Sequence, residues 1–224
     1  MSCFGRLTVW KRMLETGLTP LFYHSKPSMA RHVAAACSQG GAELLEFTDR
    51  GDRAAAVFQD LVPFVRKEIP SMAVGVGSIT DPQAAALYMS HGADFIVCPT
   101  LEPEVMKLCN RRGVACVPGC GTPTEVRRAR ELGAEIIKIF PARALGGPSF
   151  IKSLKGPMPD VKLMPTGGVR ASREDIADWL DAGADCLGMG SALVPDDALQ
   201  QGDVDVVEEN VRQALHHICE VRTN

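Results

Sequence analysis

Short apolar runs alternate with longer amphipathic stretches along the chain. The runs are rich in Ile, Val, Leu and Phe and end at glycine, proline or polar residues. The stretches between them, such as DRAAAVFQDLVPFVRKE and PTEVRRARELG, repeat apolar residues every three or four positions. The first pattern is typical of buried strands, and the second is typical of helices that cover a sheet. Strands are predicted over 18–23, 43–48, 72–78, 94–98, 115–118, 135–140, 161–165 and 185–189.

An internal repeat indicates how these elements are organised. The phrase Gly-Ala-acid, followed by an apolar run, begins at Gly41, Gly92, Gly133 and Gly183, at intervals of 51, 41 and 50 residues. Each interval holds one further strand and helix. One unit therefore spans about 20–25 residues, which is the length of a βα unit with short loops.

Eight such units predict an α/β fold of the (β/α)8 or TIM-barrel type, formed by residues 1–224 as a single domain. An additional N-terminal helix is predicted within 1–17 and a C-terminal helix over 204–222. An open doubly wound sheet is the alternative. No GxGxxG fingerprint opens the first unit, which favours the barrel.

The repeat also predicts which side chains point into the barrel. The fifth residue after each repeat glycine is Glu46, Val97, Lys138 or Gly188. Alternate residues of a strand share a face, and alternate strands of such a barrel contribute side chains to one interior layer. We therefore expect Glu46 and Lys138 to face each other near the carboxyl ends of the strands, where barrel enzymes hold their active sites. Gly188 leaves room beside them.

Lys138 is the first candidate for chemistry. A lysine rarely stays buried unless another group pairs with it or a reaction uses it. It could form a structural ion pair with Glu46, or it could point outward with its amine in solvent. We favour a third interpretation, an amine nucleophile, because burial favours the neutral amine over the ammonium ion. Glu46 could then neutralise the lysine, move protons through a water molecule, or do both.

Two glycine-rich turns are expected at the same end of the barrel. They are PTGGVR, with Gly167 and Gly168, and GMGSAL, with Gly190 and Ser191. Backbone N–H groups in such turns can converge on an anion, so we expect a phosphate site, although the same residues also serve ordinary turns. Arg50 and Ser78 follow the second and third strands. Arg50 could hold a substrate carboxylate or face solvent, and Ser78 could bind substrate or cap a helix.

Composition narrows the classes of partner and cofactor. The formal net charge is −3, from 24 basic and 27 acidic residues, which favours neither nucleic acid nor a membrane as a partner. No apolar run reaches membrane-spanning length and no signal-peptide core is present, so a cytoplasmic location is expected. The eight cysteines show no disulfide or zinc spacing, so we predict reduced cysteines and neither a metal nor another cofactor.

The motifs LLEFTDR, AVGVGS, FIVCPT, IIKIFPA, MPTGG and GMGSALVP occur in this order. Over residues 5–195 the sequence resembles the 2-keto-3-deoxy-6-phosphogluconate (KDPG) aldolases, a family that includes the 4-hydroxy-2-oxoglutarate (KHG) aldolases. The resemblance implies that Lys138 forms a Schiff base, that Glu46 is the general acid/base and that Arg50 contacts the substrate carboxylate. It also implies that Ser78 and Thr166 lie near the pyruvate moiety, that Pro99 and Phe140 line the pyruvate pocket, and that Gly167, Gly168, Gly190 and Ser191 bind phosphate.

The implied activity is that of a class I aldolase, a lyase that needs no metal. It would cleave a 2-keto-3-deoxy sugar acid. The expected substrate is KDPG, which gives pyruvate and glyceraldehyde 3-phosphate. The resemblance also implies a homotrimer. A KHG aldolase that releases glyoxylate, a phosphosugar isomerase or epimerase on a similar barrel, and a non-catalytic sugar-acid binder are the alternatives.

Three stretches at the expected rim depart from the pattern of the best-known members of the family. FPARALGG carries Arg143 and Leu145 in place of an acidic residue and an asparagine. TDRG carries Asp49 and Gly51, and the first strand ends in the bulky residues 22–24, FYH. All three stretches concern the distal end of a substrate, so the pyruvate half of the site is the better supported half.

Overall fold

The computed structural model describes residues 2–223 and has an α/β fold in which the strands pair in parallel. The strands are β1 (Leu18–Phe22), β2 (Leu44–Thr48), β3 (Ala73–Gly77), β4 (Phe95–Val97), β5 (Ala115–Val117), β6 (Gly119–Cys120), β7 (Ile136–Ile139), β8 (Lys162–Pro165) and β9 (Leu187–Met189). The helices are α1 (Arg6–Thr16), α2 (Pro27–Gln39), α3 (Ala54–Glu68), α4 (Pro82–Ser90), α5 (Pro103–Arg112), α6 (Pro123–Glu131), α7 (Pro148–Lys155), α8 (Arg173–Asp181), α9 (Asp196–Gln201) and α10 (Asp205–Thr223).

The strands form a curled parallel sheet in two hydrogen-bonded sections. One section has the order β5-β4-β3-β2-β1-β9, and the other has the order β6-β7-β8. An isolated parallel bridge between Thr166 and Gly188 links the end of β8 to β9. All eight predicted strands are present. The additional strand β6 arises because Pro118, which has no N–H to donate, interrupts the fifth predicted strand.

The glycines of the sequence repeat have a shared structural role. Gly41, Gly92, Gly133 and Gly183 lie between a helix and the following strand, with φ angles of 99°, 97°, 86° and 102°. This left-handed region is strained for residues with a Cβ atom, and glycine is the usual residue for ending a helix there. The repeat therefore marks the points at which alternate helices stop and the chain enters the sheet.

The acidic residue of each repeat unit forms an ion pair at the amino end of a strand. This end lies opposite the predicted catalytic end, so the repeat acids stabilise the fold and do not contribute to the chemistry. The pairs are Glu43 with Arg12 (3.5 Å), Asp94 with Arg66 (2.9 Å), Glu135 with Arg6 (2.7 Å), and Asp185 with Lys155 and Lys162 (both 2.9 Å).

Asp94 is the most buried of these four acids, with no solvent exposure. Its Oδ1 accepts hydrogen bonds from the backbone N–H groups of Cys3 (2.8 Å) and Phe4 (3.2 Å), and its Oδ2 accepts one from Val74 N (3.0 Å). Arg66 donates to both oxygens, at 2.9 and 3.0 Å. One carboxylate thus ties the N-terminal segment, helix α3 and strand β3 together.

Helix α1 closes the amino end of the curled sheet. Val9 and Met13 of this helix are fully buried, and Trp10 is 6 % exposed. They pack against a layer of apolar side chains that point to the concave side of the sheet. This layer includes Leu44 and Ile136, each two positions before a predicted catalytic residue, together with Phe95, Val97, Val117, Met164 and Cys186. The predicted site therefore rests on a closed apolar floor.

We expect Asp94→Ala to lower the free energy of unfolding by about 3 kcal/mol, because it leaves Arg66 and three backbone N–H groups without their acceptor. Urea denaturation measures the change. The matched control is Asp160→Ala, which removes an exposed pair with Arg130 and should cost less than about 1 kcal/mol. Equal losses in the two variants would contradict the role assigned to Asp94.

Candidate active site

A cavity of about 360 Å³ opens at the carboxyl ends of the strands, on the side opposite helix α1. Its wall includes every residue that the sequence predicted for the site. These residues are Glu46, Arg50, Ser78, Pro99, Lys138, Phe140, Thr166, Gly167, Gly168, Gly190 and Ser191. They come from six strands and the loops that follow them, so the fold brings together side chains that are far apart in the sequence.

Lys138 and Glu46 meet across the concave side of the sheet. Lys138 lies on β7 and is 5 % exposed, whereas Glu46 lies on β2 and is fully buried. The Lys138 Nζ atom is 3.9 Å from Glu46 Oε1. The same Nζ atom lies 5.2 Å from the centre of the Phe140 ring, whose face attracts a cation. The amine therefore has a carboxylate and an aromatic face beside it.

The Glu46 carboxylate is buried without a hydrogen-bond donor. Neither of its oxygens accepts a hydrogen bond from any residue in the described range 2–223. Burial raises the pKa of Glu46, and the positive charges of Lys138 and Arg50 offset only part of that effect. A raised pKa makes proton exchange near neutral pH easier, which suits a group that both accepts and returns a proton.

Glycines on the neighbouring strands give these side chains their space. A Cβ atom at Gly77 would overlap the Glu46 carboxylate, and a Cβ atom at Gly188 would overlap the Thr166 hydroxyl. The space that Gly188 leaves is occupied by the hydroxyl group of Thr166, and room beside Glu46 and Lys138 stays a prediction. Thr166 itself is 4 % exposed, and its backbone forms an isolated parallel β-bridge with Gly188.

Arg50 and Ser78 line the cavity from the loops that follow β2 and β3. Arg50 is exposed, and no hydrogen bond or ion pair joins its guanidinium to another residue of the described chain. Ser78 has a φ angle of 65°, the one non-glycine residue with positive φ among residues 2–223. Such a conformation costs energy for residues with a Cβ atom and is common at functional sites.

Both glycine-rich turns line the cavity. Gly167 and Gly168 have φ angles of 91° and 84°, which favour glycine. No hydrogen bond within residues 2–223 uses the backbone N–H of Gly168 or Ser191. These groups are available to an anionic ligand.

Sequence reasoning missed several contacts in the cavity wall. Leu21 lies there because β1 pairs with β2 so that Leu21 is opposite Glu46, a register that one strand alone does not reveal. Val194, Asp196 and Leu199 follow β9 and also line the cavity. Their position after the last strand could have identified them, because the βα loops of such a sheet surround the site.

Neither a metal cluster nor a membrane-spanning helix is found in the described chain. Within residues 2–223, no group of three or more His, Cys, Asp or Glu side chains is arranged to hold a metal ion. No helix in that range combines the length and the apolar character that crossing a membrane requires. The eight cysteines are free thiols.

Comparison with known proteins agrees with this geometry. A family model described as KDPG and KHG aldolase matches residues 9–210. The 2-dehydro-3-deoxy-phosphogluconate aldolase of Pseudoalteromonas atlantica is 34 % identical over 184 residues, which cover 82 % of each chain. The KHG/KDPG aldolase of Escherichia coli K12 is 33 % identical over 212 residues, which cover 92 % of this chain and 96 % of the relative.

A solved structure of similar fold carries a covalent intermediate. It is the KDPG aldolase of Legionella pneumophila, with pyruvate captured at low pH as a carbinolamine. The two folds match with a TM-score of 0.83 at 25 % identity, over 91 % of this chain and 96 % of the other. The predicted family is confirmed. The chain belongs to the KDPG and KHG aldolases, which are carbon–carbon lyases.

Proposed function

We propose that this protein is a class I aldolase that cleaves a 2-keto-3-deoxy sugar acid. The proposed substrate is KDPG, and the products are pyruvate and glyceraldehyde 3-phosphate. The observation that carries the proposal is the buried Lys138 amine, 3.9 Å from the carboxylate of Glu46, which has no hydrogen-bond donor in the described chain. Members of the family that this chain matches carry the same activity in their names.

The first steps form a covalent bond to the substrate. The neutral amine of Lys138 attacks the keto carbon C2, and a carbinolamine forms. Loss of its hydroxyl group as water leaves an iminium ion, whose positive charge lies beside the Phe140 ring. The carbinolamine in the Legionella pneumophila enzyme supports this order of steps.

The iminium ion then accepts the electron pair of the breaking C3–C4 bond. Glu46 removes the proton of the C4 hydroxyl group through a water molecule, the aldehyde leaves, and an enamine of pyruvate remains on Lys138. The same carboxyl group returns a proton to C3, and hydrolysis of the resulting imine releases pyruvate. The raised pKa of Glu46 suits a group that holds the proton between these two steps.

Different parts of the cavity would hold the two ends of the substrate. The Arg50 guanidinium, which has no hydrogen bond or ion pair within residues 2–223, would bind the substrate carboxylate, and Ser78 and Thr166 would offer hydroxyl groups near it. Pro99 and Phe140 supply the apolar wall of the pyruvate pocket. The outer glycine turns, with Gly167, Gly168, Gly190 and Ser191, would bind the phosphate through backbone N–H groups.

The full architecture is also part of the proposal. We infer that the two sections of the sheet form one closed (β/α)8 barrel, in which β5 and β6 act as one strand and the Thr166–Gly188 bridge closes the gap between β8 and β9. The single domain, the homotrimer and the cytoplasmic location stay predictions. So does the absence of any metal or cofactor requirement.

A KHG aldolase is the second candidate function. It uses the same pyruvate chemistry, and the Escherichia coli relative is named for both activities. The residues around Lys138 serve either substrate. The two candidates differ at the outer turns, where KDPG presents a phosphate and KHG presents a carboxylate closer to the reacting bond. Turnover of the two substrates under the same conditions decides between them.

Incubation with pyruvate and sodium borohydride should attach a reduced adduct to the peptide that contains Lys138, because the imine is trapped as a secondary amine. Peptide mass analysis locates the adduct. Lys138→Arg should abolish both labelling and cleavage, whereas Lys152→Arg, on the exposed face of α7, should change neither. An isomerase or epimerase mechanism predicts the opposite, namely activity retained in part by Lys138→Arg and an unlabelled wild type.

Glu46→Gln should trade activity for stability. The raised pKa means that the folded protein binds this proton more tightly than the unfolded chain does, so wild-type stability falls as pH rises from 4.5 through the folded-state pKa. Glutamine mimics the protonated group and avoids this loss. Its kcat should fall about 10²–10⁴-fold.

Thermal melts at about pH 8 and at a pH below the ordinary carboxyl pKa test this link between stability and the protonation of Glu46. Glu46→Gln should melt above the wild type at the higher pH, and the difference should shrink in acid. Glu104→Gln, at an exposed pair on α5, is the control and should show no such trend. A variant that melts below the wild type at the higher pH would contradict the linkage.

Two substitutions at Ser78 separate its backbone from its hydroxyl group. Ser78→Ala keeps the strained backbone, whereas Ser78→Gly relaxes it, so the glycine variant should be more stable than the alanine variant by about 1 kcal/mol. Both lose the hydroxyl group, and both should lower kcat/KM about tenfold. Wild-type activity in Ser78→Ala would show that the hydroxyl group does not contact the substrate.

A further inference from the structure

Arg143 lies behind the first glycine turn, outside the wall of the cavity. It follows β7 in the FPARALGG stretch, where the sequence departs from the best-known members of the family. Its backbone N–H donates to the carbonyl of Gly167 at 3.0 Å. Its side-chain Nε donates to the carbonyl of Gly168, also at 3.0 Å. One residue thus holds both carbonyl groups of the turn.

Holding the carbonyls fixes the N–H groups of the same peptide units. In a trans peptide unit the C=O and the N–H point in opposite directions. When the carbonyls of Gly167 and Gly168 point toward Arg143, the N–H groups of Gly168 and Val169 point the other way, toward the cavity that these residues line. Neither N–H donates a hydrogen bond within residues 2–223.

The guanidinium of Arg143 is itself held in place. It donates to Asp175 Oδ1 and lies 5.2 Å from the centre of the Trp179 ring. Asp175, in the first turn of α8, is only 7 % exposed. Its other oxygen accepts hydrogen bonds from the Trp179 indole (3.0 Å) and from Arg170 N (2.8 Å).

The charge of Asp175 is stabilised in this position. Burial raises the pKa of Asp175, but hydrogen bonds from Arg170 N, Arg143 and Trp179 outweigh burial and leave the pKa below its ordinary value. Asp175 is therefore an ionised and immobile anchor near neutral pH. Because the anchor belongs to α8, it ties the loop after β7 to the helix that follows β8.

We propose that Arg143, anchored by Asp175, is a positioning residue that fixes the N–H groups of Gly168 and Val169 for the anionic distal end of the substrate. This inference rests on the proposed function, because it assigns the distal group to the outer turn. Arg143 does not contact the substrate. It acts through the backbone of the turn, and it affects binding of the distal end without affecting imine formation at Lys138.

Arg143→Ala tests the proposal, since it removes the side-chain hydrogen bond and keeps the backbone one. KM for KDPG and the dissociation constant of inorganic phosphate should both rise about tenfold, whereas kcat and the rate of pyruvate trapping by borohydride should stay within about twofold. Arg143→Lys should give an intermediate value, because one ammonium group cannot bind Gly168 and Asp175 with the geometry of the guanidinium fork.

Arg127→Ala is the matched control. Arg127 is an exposed arginine on α6 that pairs only with Glu131 among the described residues, and its loss should change none of these quantities. The proposal is overturned if Arg143→Ala binds phosphate as tightly as the wild type, or if its trapping rate falls as much as its affinity. A wild type that traps no pyruvate would overturn the proposed function instead, and calorimetric phosphate binding would still decide the role of Arg143.

Discussion

The site depends on one buried contact between a lysine and a carboxylate. Lys138 and Glu46 are both out of solvent, and the carboxylate has no hydrogen-bond donor among the described residues. Burying such a pair without hydrogen bonds to the carboxylate costs folding free energy, and a role in catalysis would explain why the pair is present. The neighbouring structure accommodates it: glycine at Gly77 makes room for the carboxylate, and the Phe140 ring faces the amine. The pKa of Glu46 is raised because burial disfavours its charged form.

The two ends of the curled sheet do different work. At the amino end, the repeat acids form ion pairs and helix α1 completes an apolar layer. At the carboxyl end, the loops carry glycine turns, the exposed Arg50 and Ser78 with its positive φ angle. Stability and chemistry are therefore separated along the strand direction. Asp94, which has five hydrogen-bond partners at the amino end, and Glu46, which has no donor among the described residues at the other, are the extremes of this arrangement.

Much of this arrangement could be predicted from the sequence, because it depends on the regular spacing of residues along strands and of the repeat along the chain. Strand residues alternate between faces and the repeat sets the register, so the pairing of Glu46 with Lys138 followed from counting. Contacts between loops have no period. The bond from Arg143 to Asp175 joins residues 32 positions apart, and the bond from Cys3 to Asp94 spans 91 positions. Closure of the barrel stays a prediction: within residues 2–223, the strand pairing that joins β8 to β9 is an isolated bridge between Thr166 and Gly188.

The floor beneath the site also has a kinetic consequence. Within residues 2–223, helix α1 and the apolar layer beneath Lys138 close the inner end of the cavity. In a cavity that is closed at its inner end, the product fragment nearer the opening must leave before the fragment beneath it. In the proposed mechanism the aldehyde would leave first and the covalently held pyruvate last, and the reverse reaction would load pyruvate before the acceptor aldehyde. The covalent bond to Lys138 would set this order, and the closed floor built on helix α1 is consistent with it.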